Sequence, residues 1–323
     1  MSLIDNMLAG QLSDEEIAAA IVSLREKGET AEDIYNYVEK IIQHSISISH
    51  AGDLTDVCGT GGSGLSRFNV STACAFILSA LNVPVIKHGN KGSQRPNGSF
   101  DLLENLGIDI EQSPNQVKET LELTNLGFIF AKHYHPSLQA VAKGRAIAGG
   151  RSIFNLTGPL SNPANIAYQV IGTANLDKAE ILAHACIKLG RKRAAVVYGE
   201  PGIDEVSISG PTHVYECTAG AASIKYYKIT PEELGISPVT YRKIPGGDVD
   251  TNTRIFTSLL QGSAHRSIVD IVAANSGLAL YIAGNALTIK GGYESAKECI
   301  LSGKMKRQFD RYISAIQEAA RVI

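Results

Sequence analysis

Apolar positions recur three and four apart through most of the first fifty residues, the spacing of helices that bury one face. Ser13 and Glu16 form a capping box ahead of Ile17, Ile21 and Leu24, and Gly28 closes that segment. Thr30 restarts the pattern, with Ile34, Tyr37, Val38, Ile41 and Ile42 on one stripe. Two adjacent helices therefore present apolar faces that need a partner: later helices, a second subunit, or both. From Leu54 the rhythm shortens. The runs "LTDVC", "VPVI", "GFIF" and "AAVVYG" alternate with helix-like stretches, which predicts an α/β domain around a mostly parallel sheet. His213 to Tyr227 reads as two strands around a Gly/Ala turn, and residues 251–321 read as mainly helical. No repeat or Pro/Ser linker divides the chain into separate beads.

Composition narrows the classes of function. An apolar content of 44% over 323 residues is ample for a buried core. Thirty basic residues against thirty-two acidic ones give a net charge of −2, so no global field draws the chain to nucleic acid or to an anionic membrane. No run approaches the roughly 18 apolar residues of a membrane span, and the N-terminus lacks a signal-peptide pattern, so a cytoplasmic protein is expected. The five cysteines, Cys58, Cys74, Cys186, Cys217 and Cys299, are widely spaced with no CxxC pair, which disfavours a disulfide framework or a zinc site.

Candidate chemistry begins at "DVCGTGGSGLSRFNVSTACAFILSAL", Asp56 to Leu81. A strand ending near Cys58, a loop with Gly59, Gly61, Gly62 and Gly64, and a helix starting near Ser71 would set bare amides beside a positive helix end, which suits a phosphate. The Walker and dinucleotide spacings are both absent, so a tight turn without a ligand is the competing reading of this loop taken alone. "KHGNKGS", Lys87 to Ser93, follows the next strand and should open at the same sheet end. "FNLTGPLSNPA" and "GEPGIDEVSISGPT" come later, the second with Asp204 and Glu205 adjacent on a glycine-flanked loop. Such a pair can hold magnesium, or can merely cap a helix.

In this order and approximate spacing, "GTGG" with "FNVSTA", "KHGN", "GSxDLLExLG", "HPSL", "IFNLTGPLSNPA", "QVIG" and "DEVSISGPT" resemble the anthranilate phosphoribosyltransferase family over nearly the whole chain. This family is of the nucleoside phosphorylase and phosphoribosyltransferase class. The resemblance implies a small helical domain plus a larger α/β domain with a mostly parallel central sheet. The expected boundaries are 1–52, joined by helices from about 136–185, and 53–323. It implies a homodimer through the helical domain, and transfer of phosphoribosyl from phosphoribosyl pyrophosphate to anthranilate in tryptophan biosynthesis, with magnesium. It places Gly59, Gly62, Asn69, Ser71, Thr72, Lys87 and Ser99 on the donor, and Ser71, Asp204 and Glu205 on the metal. His88, Asn90, Arg145, Gly158 and Pro159, with Gly59, fall on the acceptor side. Lys87, Asn90, Asp204 and Glu205 are the expected catalytic set.

The chain also departs from the family pattern. Ser63 replaces an acid, Arg67 replaces a frequent threonine, and "KGSQRPNGS" brings Lys91 and Arg95 into a loop that is usually serine-rich. Ser63, Arg67, Lys91 and Arg95 are therefore added to the donor contacts, with both guanidinium groups expected to point into the donor site. Two other readings stay open. One is a paralogous phosphoribosyltransferase with another aromatic amine or an altered donor; the other is a non-enzymatic relative that binds nucleic acid, against which Asp204, Glu205 and the near-neutral charge argue.

Overall fold

The computed structural model describes residues 2–61, 67–92, 96–221 and 223–319. Three helices open the chain: α1 (Leu3–Leu8), α2 (Asp14–Lys27) and α3 (Ala31–Gln43). Each begins with a capping box, from Ser2, Ser13 and Thr30, so the reciprocal side-chain bonds read at Ser13 and Glu16 recur at every N-terminus here.

Next come β1 (Leu54–Gly59), α4 (Val70–Ala80), β2 (Val85–Gly89), α5 (Ser99–Asn105), α6 (Pro114–Thr124) and β3 (Leu126–Phe130). Short helices α7 (Ala131–Tyr134), α8 (Ala142–Ala148) and α9 (Ile153–Thr157) lead to β4 (Ile166–Gly172), α10 (Ala179–Lys188) and β5 (Arg193–Gly199). Strands β6 (Thr212–Thr218) and β7 (Lys225–Ile229) precede α11 (Val249–Leu260), α12 (Arg266–Ile282), α13 (Ile289–Leu301) and α14 (Lys304–Ala319). The strands form one seven-stranded sheet in the order β3-β2-β1-β4-β5-β6-β7. The first five run parallel, and β6 and β7 are antiparallel additions at one edge.

The sheet is covered on both faces, as parallel sheets require. Val85, Phe128, Val170 and Val197 enter the core shared with α4 and α12, while their neighbours Ile86, Ile129, Ile171 and Val196 join clusters on the opposite side. Helix α4 is apolar almost all round because it is buried almost all round. Its Phe76 ring lies 5.4 to 5.7 Å from Phe128, Phe256, Phe309 and Tyr312, tying α4 to β3, α11 and α14. The N-terminal apolar stripe finds its partners within the chain. Met7, Ile17, Ile21, Tyr37 and Ile41 pack with Val141, Ile153 and Phe154, and Ile34 and Val38 pack against α10. Helices α8 and α9 thus share a core with α1 to α3.

Helices α12 and α13 touch backbone to backbone. A Cβ at Gly277 would lie 2.4 Å from the Tyr293 amide nitrogen. Gly277→Ala should therefore lower the free energy of unfolding by about 2 kcal/mol through overpacking, outweighing alanine's gain of about 1 kcal/mol in helix propensity. Urea unfolding checks this; an unchanged or higher midpoint would refute the close contact.

Candidate active site

The strand order reverses between β1 and β4, so the loops leaving their carboxyl ends diverge and open a crevice, the usual ligand position in open α/β sheets. Gly59 ends β1 and Gly172 ends β4, and the segment after β5 folds back across both. A Cβ on Gly172 would lie 1.7 Å from the Asp204 carbonyl oxygen, and one on Gly59 would lie 2.5 Å from Asp204 Oδ2. Only glycine admits this crossing. The Gly61 amide donates to Asp204 Oδ2 at 2.9 Å, so the first glycine loop and the acidic loop are joined directly.

One half of the crevice, about 420 Å³, is polar. Gly59, Thr60, Gly61, Arg67, Asn69, Ser71, Lys87, Asn90, Ser99, Asp204 and Glu205 line it, and the N-terminus of α4 faces it at Asn69 to Ser71. This is the anion-receptive geometry expected from the glycine loop. Lys87 is 1% exposed, its ammonium donating to the Val57 carbonyl at 2.7 Å. Asn69 Nδ2 donates to the Asn97 carbonyl at 2.9 Å, which links the segments that lead into α4 and α5. Lys91 also lines this half, and its ammonium forms an ion pair with Glu104 at 2.8 Å. Thr72 is fully buried in the first turn of α4. Gly62, Ser63 and Arg95 lie outside the described residues.

Arg67 lines this half, as expected, but its guanidinium ends on the acidic pair. It forms a close ion pair with Asp204 and lies 3.5 Å from Glu205 Oε1. Burial works against the Arg67 charge, yet Glu205 and Asp204 more than offset it and raise its pKa. Burial raises Glu205 to about 7, with Arg67 opposing the shift and Asp204 adding to it. Among the described residues no three His, Cys, Asp or Glu side chains converge as a protein-only metal cage. Magnesium needs less, since one or two carboxylates plus substrate phosphates suffice. The carboxylates fit that role: Glu205 Oε2 is buried without a hydrogen-bond partner, and Ser71 lines the same space. The position facing both acids is, however, taken by a guanidinium.

The other half, about 270 Å³, shares Gly59, Thr60, His88, Gly89 and Asn90 with the first and continues to Arg145, Phe154, Gly158 and Pro159. The Arg145 guanidinium sits 4.8 Å above the Phe154 ring, and no described carboxylate pairs with it. Burial lowers its pKa from the ordinary arginine value, leaving a partly desolvated cation in this half. His88 Nε2 and His135 Nε2 are 3.0 Å apart. Burial, then His135 and Lys87, drive His88 well below the usual imidazole range, and burial takes His135 to about 4. Both rings are neutral at pH 7.

Beneath this half lies a buried polar network. Arg191 donates to Gln169 Oε1 at 3.1 Å and to the carbonyls of Ile166 and Leu160 at 3.0 and 3.2 Å. Gln169 Nε2 donates to the Pro159 carbonyl at 2.7 Å, and Asn162 Nδ2 donates to Asp56 Oδ2 at 3.1 Å and to the Ile86 carbonyl at 2.9 Å. These bonds fix the Gly158–Pro159 wall to β1, β2 and β4.

Sequence reasoning missed three supporting side chains. Arg151 donates to the Gly61 carbonyl at 3.1 Å, and Arg25 on α2 donates to the Gly149 carbonyl at 2.6 Å, so α2 braces the segment that braces the glycine loop. Asn252, fully buried on α11, donates to the Arg67 carbonyl at 2.8 Å and to Asn69 Oδ1 at 3.0 Å, and accepts from the Gly247 amide at 3.0 Å. A polar residue inside an amphipathic helix was the available signal for Asn252. Its partners, far away in sequence, were not legible.

Family models place the chain in a class that this geometry already suggests. Residues 1–45 match the glycosyl transferase family's helical bundle domain and residues 51–306 match its a/b domain. An anthranilate phosphoribosyltransferase of Geobacillus kaustophilus is 40% identical over 94% of this chain and 89% of its own length, and one from Persephonella marina is 39% identical over 94% and 89%. The crystal structure of anthranilate phosphoribosyltransferase from Thermus thermophilus superposes with a TM-score of 0.92 at 34% identity, covering 98% of this chain and 94% of that one. The Saccharomyces cerevisiae enzyme in complex with PRPP and Mg gives 0.87 at 26% identity, covering 94% and 86%. The chain is thus a glycosyl transferase built from a helical bundle and an α/β domain. Within that class it belongs to the anthranilate phosphoribosyltransferase family, and is an enzyme of tryptophan biosynthesis.

Asn252→Ala should cost about 1–3 kcal/mol of stability, because it strands buried partners on two loops. It should also raise the KM for the sugar donor with little change for the acceptor. Urea unfolding and steady-state kinetics test both; equal effects on the two substrates would remove Asn252 from the donor side.

Proposed function

We propose that the chain transfers the phosphoribosyl group of phosphoribosyl pyrophosphate to the amine of anthranilate, releasing pyrophosphate. The observation that carries this reading is one continuous crevice with two unlike halves. An amide- and hydroxyl-lined anion site meets, across Gly59 and Asn90, a smaller pocket that offers an unpaired guanidinium above an aromatic ring. A diphosphate ester suits the first, and an aromatic carboxylate suits the second.

The reaction breaks the anomeric C–O bond and forms a C–N bond, and the amine releases a proton. Negative charge grows on the departing pyrophosphate while the ribose becomes oxocarbenium-like. The Gly61 and α4 amides, Asn69, Ser71, Ser99 and Lys87 serve the phosphates and ribose by presenting donors at fixed positions. Asp204, Glu205 and Ser71 would hold magnesium, which when bound supplies positive charge to the leaving group. Arg145 draws in the carboxylate, Gly158 and Pro159 form the wall beside the ring, and neutral His88 with Asn90 orients the amine. No side-chain nucleophile is needed, so positioning dominates.

The same reading makes the protein a cytoplasmic homodimer with contacts through the helical domain. Leu3 and Ile147 support this, being 53% and 58% exposed on α1 and α8, as do five cysteines that remain free thiols. Among the described residues no helix is long and apolar enough to cross a membrane.

Anthranilate fluorescence should fall only when the protein, phosphoribosyl pyrophosphate and magnesium are all present. Arg145→Ala should then raise the KM for anthranilate by the equivalent of about 1.5–3 kcal/mol, roughly ten- to a hundredfold, with a much smaller effect on the donor. Unchanged fluorescence would refute the substrate assignment. Equal losses for both substrates would refute the role of Arg145.

A further inference from the structure

The Arg67 guanidinium is placed against both acids that suit a divalent cation. All three side chains are nearly enclosed, with Arg67 14%, Asp204 8% and Glu205 14% exposed. Two carboxylates this close and this dry cannot both stay ionised without a cation between them. Arg67 supplies that charge from within the chain, and its planar fork spans the two acids in a way a threonine hydroxyl could not. Its anchorage suits exchange. The Arg67 carbonyl is fixed by Asn252 at 2.8 Å, so the main chain can stay in place while the side chain rotates.

We propose that Arg67 is a resident counter-cation of the Asp204–Glu205 pair, and that a divalent metal enters only as the guanidinium leaves. The inference rests on the donor half assigned above, but not on the identity of the acceptor. A metal ion and a guanidinium on the same two carboxylates repel one another, so the two occupants are strongly anticooperative. An incoming diphosphate resolves the conflict. It brings enough negative charge to bind the metal and to take the displaced guanidinium as a second counter-ion. Arg67 therefore makes metal binding conditional on the diphosphate: the bare site keeps its own cation, and metal and diphosphate arrive together.

The test uses the full chain with Mn²⁺ as probe, measured by equilibrium dialysis as the Mn²⁺ retained with the chain beyond a protein-free control of the same Mn²⁺ and pyrophosphate content, with and without inorganic pyrophosphate. In the wild type, Mn²⁺ alone should bind weakly and pyrophosphate should strengthen it. Arg67→Thr should bind Mn²⁺ alone at least about tenfold more tightly, and its enhancement by pyrophosphate should shrink by a similar factor. Arg67→Lys, which keeps the charge, should remain close to wild type. If Arg67→Thr does not fold, as judged by circular dichroism, Arg67→Gln keeps the length of the side chain and removes the charge, and the same tightening is expected. Equal or weaker Mn²⁺ binding in the folded uncharged variant overturns the proposal. The measurement contains no anthranilate. A chain that fails to consume anthranilate but shows the Mn²⁺ shift refutes only the acceptor, and the reverse outcome refutes only the role of Arg67.

Discussion

The crossing of the Asp204 backbone over Gly172 sets the geometry of the crevice. The carbonyl oxygen of one lies where the other would carry a Cβ, so the acidic loop rests directly on the end of β4 and reaches the end of β1. That contact brings two adjacent carboxylates to the point where the strand order reverses, within hydrogen-bond reach of the glycine loop. A methyl group at either glycine would lift the acidic loop and separate the acids from Gly61, Arg67 and Ser71. The missing side chain at Gly59, the first residue of "GTGG", is thus a packing requirement in its own right.

The two halves of the crevice are kept different by what lies beneath each. The donor half rests on the end of α4 and on Asn252, which hold backbone and side-chain amides in fixed directions. The acceptor half rests on the Asp56–Asn162–Gln169–Arg191 network, which satisfies the carbonyls of Pro159, Leu160 and Ile166 inside the sheet. Burying an aspartate on β1 and an arginine just before β5 is costly unless their bonds are made, and here most are spent on holding one wall. The wall is rigid because it is bonded from below, which leaves its upper surface apolar and free for a ring.

Much of this was legible in the sequence, for identifiable reasons. Short apolar β-like runs alternating with helix-like stretches marked β1, β2, β3 and β5, and capping residues marked α2 and α3, because those signals are local. The motif order pointed to the family. What escaped is set by contacts across long separations: Asn252 meets Arg67 across 185 positions, and Arg151 meets Gly61 across 90. Lys91 illustrates the same limit. Its charge read as a donor contact, and nothing in the sequence signalled the ion pair it makes with Glu104 at 2.8 Å beside the polar half. Arg67 does line the polar half, but the destination of its guanidinium depended on a loop 137 residues away.

The charges inside the donor half explain why an arginine can stand there. Two cations, Arg67 and Lys87, and two acids, Asp204 and Glu205, line this half together, so its formal charges offset one another. A site holding only ammonium and guanidinium groups for a diphosphate would be strongly cationic on its own, and one with two bare acids would repel the diphosphate. An ion pair that can open avoids both. Closed, it lets acids and amides share a dry pocket; opened as proposed, it would release a guanidinium for the phosphates and carboxylates for the metal that accompanies them. The added basic charge at Arg67 is therefore consistent with a near-neutral chain, because its effect is confined to the few ångströms in which the two acids and the diphosphate compete for it.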